Sequence, residues 1–242
     1  MSRNVLIPIV AVVALALLGA AGAYAYFFSG LRASPTSLAL SSPSATPAAS
    51  GSPSTTTAGA GTWKVASGSL VGYRVKEQFA GQSSTHDAVA RTSEVSGQVT
   101  ITKSGDTYEM TSAKITAQLA NLASVDTVAG FNVRTRDGIV QRSLDVSSFP
   151  TAVFVAQSAE LPQAAATGQT VTVSVPGQLT VHGVTKDVTA TVQLRVSAST
   201  AQLAGSIVTN MTDFGISPPQ VSITVVQPAV TIEFQLNLTS AS

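Results

Sequence analysis

Few residues in this chain are equipped for chemistry. His86 and His182 are its only histidines, and it has no cysteine. A metal centre gathers several His, Cys or carboxylate ligands into one shell. Two histidines far apart in sequence do not supply that pattern, and His182 falls in a predicted turn. Serine is plentiful, but no G-x-S-x-G elbow occurs, so a Ser-His-Asp hydrolase has no visible nucleophile. The densest charges, Arg134, Arg136, Asp137 and Arg142, sit among irregularly spaced apolar residues. They read as the wet face of a short helix whose charges pair locally. A sharper reading has one of them meet a ligand's polar head group at a cavity mouth. Asp213, beside Phe214 and Gly215, reads as a turn-former rather than an acid catalyst. The expectation is a non-enzymatic protein with no catalytic residue, no metal and no cofactor. The chemistry that remains is the burial of an apolar ligand.

Such burial needs walls, and the sequence supplies strands. Val188, Ala190, Val192, Leu194 and Val196 alternate with Thr189, Thr191, Gln193, Arg195 and Ser197. Upstream, Val175, Gly177, Leu179 and Val181 alternate with Ser174, Gln178 and Thr180. A period of two marks a strand with one dry face. The two runs predict a hairpin turning over residues 182–187. The same pattern predicts strands over residues 70–79, 95–102, 108–119, 152–158, 170–181, 188–197, 203–211 and 230–238, with inner faces free of charge. Regularly spaced short strands build a sandwich or a barrel. An antiparallel barrel of about eight strands is either filled by side chains or holds one small ligand. Small inward residues (Ala152, Gly177, Ala190, Gly205) leave room for a lumen or let the walls approach. Residues 124–149 break the alternation and predict one or two short helices that lie as a lid at the barrel mouth. Pro150 ends this excursion, because the residue before a proline disfavours helix.

The N-terminal quarter is different. Residues 5–28 hold no charge and are long enough to cross a bilayer, which takes about 20 apolar residues. Tyr24, Tyr26, Phe27 and Phe28 read as an aromatic belt. Residues 1–32 are therefore expected to be a single-pass anchor; the alternative is a signal peptide cleaved among Ala21, Ala23 and Ala25. Arg3 and the amino terminus before the span favour an extracytoplasmic C-terminal domain. Residues 33–62 are almost wholly Ser, Thr, Ala, Pro and Gly and predict a disordered tether that lets the domain sit on the order of tens of ångströms from the bilayer. Residues 63–242 form the folded domain. A net charge of +1 with 10% charged residues offers no nucleic-acid surface.

Three segments carry a resemblance. The run RDGIVQRSLDVSSFPTAVF at residues 136–154 is similar to a signature of YceI-like domains. So are GQLTVHGVTKDV at residues 177–188 and DFGI at residues 213–216. Their order and spacing extend the resemblance over residues 63–238. One departure is local: Asn210-Met211-Thr212 stands where the family often has an arginine. The resemblance implies a lipocalin-like antiparallel barrel whose apolar tunnel holds a polyisoprenoid or quinone-type lipid. On that basis the expected cavity wall is Tyr73, Val75, Val99, Ile101, Phe131, Leu144, Phe154, Leu179, Val192, Leu194, Ile207, Phe214, Ile232 and Phe234. The expected partners are an isoprenoid-type lipid and the membrane. The alternative is a structural or interaction module whose barrel its own side chains fill. A small-molecule isomerase or dehydratase would need an inward acid or base, and the predicted inner faces offer none.

Overall fold

The structure, a computed structural model, describes residues 15, 17–22, 32–41, 59–80, 84–128, 131–197, 199–221 and 224–241. Its longer strands are Gly61–Val65 (β1), Leu70–Phe79 (β2), Thr85–Thr92 (β3), Val95–Ser104 (β4), Thr107–Gln118 (β5), Thr151–Ala156 (β6), Val171–Val181 (β7), Val184–Ser197 (β8), Thr200–Asn210 (β9) and Thr224–Ser240 (β10). Among the described residues eight of these form a closed antiparallel ring in the order β9, β8, β7, β6, β5, β4, β1, β10, with β10 returning to β9. The outer edge of β10 is shared. Thr224 to Gln235 pair with β2, and Leu238 to Ser240 pair with β1. The β2–β3 hairpin thus extends the wall beyond the ring at one end. The register slips between Val226 and Val230, around Pro228, which has no N–H to give to a ladder.

Every predicted strand is present, with ends shifted by a few residues, and two of the ten longer strands were not expected. β1 is short. β3 turns His86, Ala88, Ala90 and Thr92 inward and Asp87, Val89 and Arg91 outward, so its dry face carries little apolar signal. The predicted turn over 182–187 is shorter than expected. His182 and Gly183 alone make it, with φ of 52° and 73°, the positive pair that a two-residue hairpin turn requires. Residues 184–187 join the ladder instead. There the Thr180 and Thr185 hydroxyls lie 2.8 Å apart, and Gln178 donates to Asp187 across 3.2 Å.

The excursion contains one helix, Thr135–Ser143 (α1), followed by turns. α1 is tied to the wall by Asp137 Oδ1, which accepts from the Ser124 amide at 2.9 Å and hydroxyl at 2.6 Å. Two inward glycines do not open the lumen; they seat aromatic rings. A Cβ on Gly177 would lie 2.7 Å from Phe154 Cζ, and one on Gly205 would lie 2.7 Å from Phe234 Cζ.

The N-terminal quarter departs from expectation in part. Arg32, the last residue of the expected anchor, and residues 33–41, assigned by composition to a free tether, lie against the barrel. Arg32 and Ala33 pair antiparallel with Val128 and Thr127. Residues 42–58 lie outside the described residues, as does most of the predicted span. Residues 17–22 are helical, and among the described residues no helix is long and apolar enough to cross a membrane.

At the end of the ring opposite α1, Trp63 is 2% exposed and its indole donates to the Gly59 carbonyl at 3.1 Å. Trp63→Ala is expected to destabilise the domain by about 3–5 kcal/mol through the cavity it leaves. The midpoint of denaturant unfolding followed by far-UV circular dichroism measures this.

Candidate functional site

Two apolar chambers lie end to end inside the barrel. Chamber 1, of about 200 Å³, lies under α1, between β2, β10 and the Met211–Phe214 turn. Chamber 2, of about 130 Å³, fills the ring toward Trp63. Each is comparable to the roughly 150 Å³ apolar cavity that stays dry and admits benzene. Val71, Ala117, Ala152 and Ile232 line both, so the chambers meet at a waist. Ala117 and Ala152 face each other across the β5–β6 ladder, and their methyl groups are the smallest side chains at the waist. Among the described residues none that lines chamber 2 is exposed, whereas Phe131 in chamber 1 is 37% exposed. The mouth is therefore at the chamber 1 end.

The structure distributes the fourteen sequence-predicted residues between these chambers. Tyr73, Val75, Phe131, Leu144 and Phe214 line chamber 1. Val99, Ile101, Phe154, Leu179, Val192, Leu194, Ile207 and Phe234 line chamber 2, and Ile232 lines both. The three family-like segments converge at the chamber 1 end. α1 carries the first, His182 and Gly183 turn the second, and Phe214 belongs to the third. The His182 ring lies 5.2 Å from the Phe149 ring, and its Nδ1 lies 3.2 Å from the Phe214 carbonyl. Asp213 is exposed in the Met211–Phe214 turn, as expected of a turn-former.

The expectation of charge-free inner faces fails near the mouth. Glu77, inward on β2, lines chamber 1, and Arg136 of α1 reaches it. Arg136 donates to Glu77 Oε1 at 2.7 Å and to Asp126 Oδ1 at 2.8 Å. Asp126 Oδ2 lies 2.8 Å from His86 Nε2, and its Oδ1 accepts from the Val89 amide at 3.2 Å. Glu77, Asp126 and His86 are all buried. Arg136 thus does not solvate a helix face; it closes a buried ionic group and clamps the lid to β2. Arg134 and Arg142 keep the predicted role, with Arg134 3.7 Å from Asp137 and Arg142 exposed. Sequence reasoning passed over Glu77 and Asp126. The inward positions 71, 73, 75 and 79 on the same strand held the signal for Glu77; Asp126 lies outside any periodic run and left none.

Burial alone would raise the Asp126 carboxyl. Hydrogen bonds from His86 and Arg136, with the charge of Arg136, outweigh it and hold the group at about 2. Burial pushes the Tyr73 phenol far up, so it stays neutral in the chamber wall. Ligand atoms of Glu77, His86 and Asp126 lie within 4.8 Å of one another, close enough to share a metal ion. Here the Arg136 guanidinium already bridges both carboxylates, and a cation would have to displace it.

A closed antiparallel ring of eight strands around an apolar interior, with an indole at one end and a short helix at the other, defines an antiparallel β-barrel. The chain belongs to the YceI-like domain family, whose model matches residues 63–238. A polyisoprenoid-binding domain from Saccharophagus degradans implicated in plant cell wall breakdown shares the fold. It has 15% identity and a TM-score of 0.53, over 74% of this chain and 98% of that one. BcnA of Burkholderia cenocepacia aligns with 21% identity over 68% and 95% of the two chains, at a TM-score of 0.46. The YceI protein of Campylobacter jejuni aligns with 16% identity over 67% and 84%, at a TM-score of 0.35. Comparison with curated proteins gives no match.

The depressed Asp126 carboxyl has a stability consequence. Its contribution is fully present above its ordinary value of 3.8 and is lost as pH falls toward about 2. That loss amounts to roughly 2 kcal/mol. Asp126→Asn is expected to be less stable at pH 7 and to lose less stability between pH 4 and pH 2. Equilibrium unfolding at a series of pH values checks both.

Proposed function

We propose that this chain is a membrane-tethered, extracytoplasmic carrier that sequesters an isoprenoid-type lipid in its barrel. One observation carries the reading: two apolar chambers that adjoin at four shared lining residues inside one barrel. Each buried CH₂ contributes about 0.8 kcal/mol. A chain of about 10–15 carbons in the lumen would exceed the costs of association and reach micromolar affinity or better. The polyisoprenoid-binding domain that shares this fold points to the same ligand class. A quinone-type lipid would place its prenyl tail in the same space. Binding is non-covalent in this reading, and the buried carboxylates serve to hold the lid rather than to turn over a substrate.

The tether rests on sequence: the charge-free run at residues 5–28 and the charges flanking it. Leu15, Leu17 and Leu18 are 65–70% exposed, surface that suits an apolar solvent. The filled-barrel alternative is disfavoured by the open volume of the chambers.

Extraction of the protein purified from its native host, followed by mass spectrometry, is expected to recover a prenyl-chain lipid. No lipid above a matched control protein overturns the carrier reading. Leu194→Trp, which fills chamber 2, is expected to cut retention of long chains several-fold while shorter ones persist. Unchanged retention would mean that the lipid lies elsewhere.

A further inference from the structure

Residues 32–41 make contacts that a tether has no reason to make. The Ser34 hydroxyl donates to the Asp87 carbonyl at 2.6 Å, on the free edge of β3. Arg74 and Arg91 donate to the carbonyls of Pro35 and Thr36, each at 2.7 Å. Both arginines flank Glu233, which Arg74 binds at 2.6 Å. Glu233 lies between inward Ile232 and Phe234, on the outer wall, yet it is 3% exposed. Further on, Arg195 donates to the Ser41 carbonyl at 2.8 Å and Gln235 to its hydroxyl at 3.2 Å. The segment therefore runs up the outside of the barrel, from the chamber 1 end toward the chamber 2 end.

Its starting point matters most. Arg32 pairs with Val128, and Val128 bridges to Phe131. Phe131 lines the mouth of chamber 1, with its ring 6.4 Å from that of Phe79, another lining residue. Exposed apolar residues near this end are Val125 at 41%, Phe131 at 37%, Phe149 at 36% and Val225 at 59%. Arg134 beside them has a 61% exposed side chain, a cation suited to lipid phosphate. Only residues 29–31 separate the end of the predicted span from Arg32. Four Cα steps reach at most about 14 Å.

We infer that residues 32–41 are a strap that seats the barrel mouth-down on the bilayer holding its own N-terminal span, so that chamber 1 opens into the lipid. This rests on the membrane-tethered reading above. The Ser/Thr/Pro/Ala/Gly tract is thus not a spacer that lets the domain roam. Its first nine residues, with Arg32 before them, fix which end faces the membrane and how close it sits. The ligand then passes between bilayer and lumen without crossing water.

The test uses the full chain in vesicles of phosphatidylcholine and phosphatidylglycerol. Because the chain has no cysteine, single cysteines can carry an environment-sensitive fluorophore without background. Val225→Cys reports the rim. Asp106→Cys, in the exposed β4–β5 turn, reports the opposite end. Lipids with brominated acyl chains are expected to quench the rim probe several-fold more than the distal one. A Gly/Ser insert of about 20 residues between Gly30 and Leu31 adds roughly 25 Å of reach and leaves the strap intact. It is expected to bring rim quenching down toward the distal level. Equal quenching at the two ends of a chain that floats with the vesicles overturns this inference alone. Undiminished rim quenching in the insert variant overturns the strap as its cause. A chain that does not float overturns the tethered reading and this inference together. A quenched rim with no extractable lipid leaves the docking in place and removes the carrier.

Discussion

β10 holds the ring closed by pairing with β9 along one edge and with β2 and β1 in succession along the other. A sheet without that closure would present two open edges, ready to pair with other chains. Closure also fixes which residues see water. Once the ring is complete, Ile232, Phe234, Leu236 and Leu238 face a space that solvent reaches only from an end. An eight-stranded ring is just wide enough that side chains decide whether that space is full. Here aromatic rings lie over Gly177 and Gly205, against the wall rather than across the lumen, and alanines stand at the waist. The open volume follows from the placement of small residues under large ones, not from a wider barrel.

The buried ionic group answers a different requirement. A short helix over an apolar chamber has little to hold it in register, since greasy contacts are tolerant of sliding. Arg136 gives α1 a directional attachment, with Glu77 on β2 and Asp126 on the segment that pairs with β3. Taking these charges out of water is costly, and the cost is recovered only if every partner stays in place. Removal of one partner therefore does more harm than the pair's net worth suggests. The lid is specified by an interaction that has one geometry.

How much of this was legible in the sequence can be judged element by element. The period-two runs disclosed the strands wherever apolar residues face inward, and the fourteen residues expected on the cavity wall came from that alternation together with the family resemblance. β3 was not legible, because its inward face is His, Ala, Ala and Thr, and a small-residue face has no periodic hydrophobicity. The turn at His182 was read too long, because Thr185 and Asp187 resemble turn residues but are satisfied by Thr180 and Gln178 across the ladder. Arg136 was seen, but nothing local marks its pairing with Glu77 across 59 positions, and Asp126, ten positions away, sits in no periodic run. Residues 32–41 have a disordered composition, yet their order comes from arginines on the barrel that bind main-chain carbonyls. Acceptors of that kind are present in every sequence and therefore invisible in any.

The chambers differ in access: one has an exposed rim, and the other has none and ends at Trp63. A tube open at one end is threaded, not clasped. Any flexible chain stored in it must enter by its tail and leave by the same route, the deepest segment last. Its length is gauged against the distance from the waist to the indole floor. Its release has to break the contacts of every buried unit in turn, so dwell time should lengthen steeply with each added unit while the rate of entry changes little.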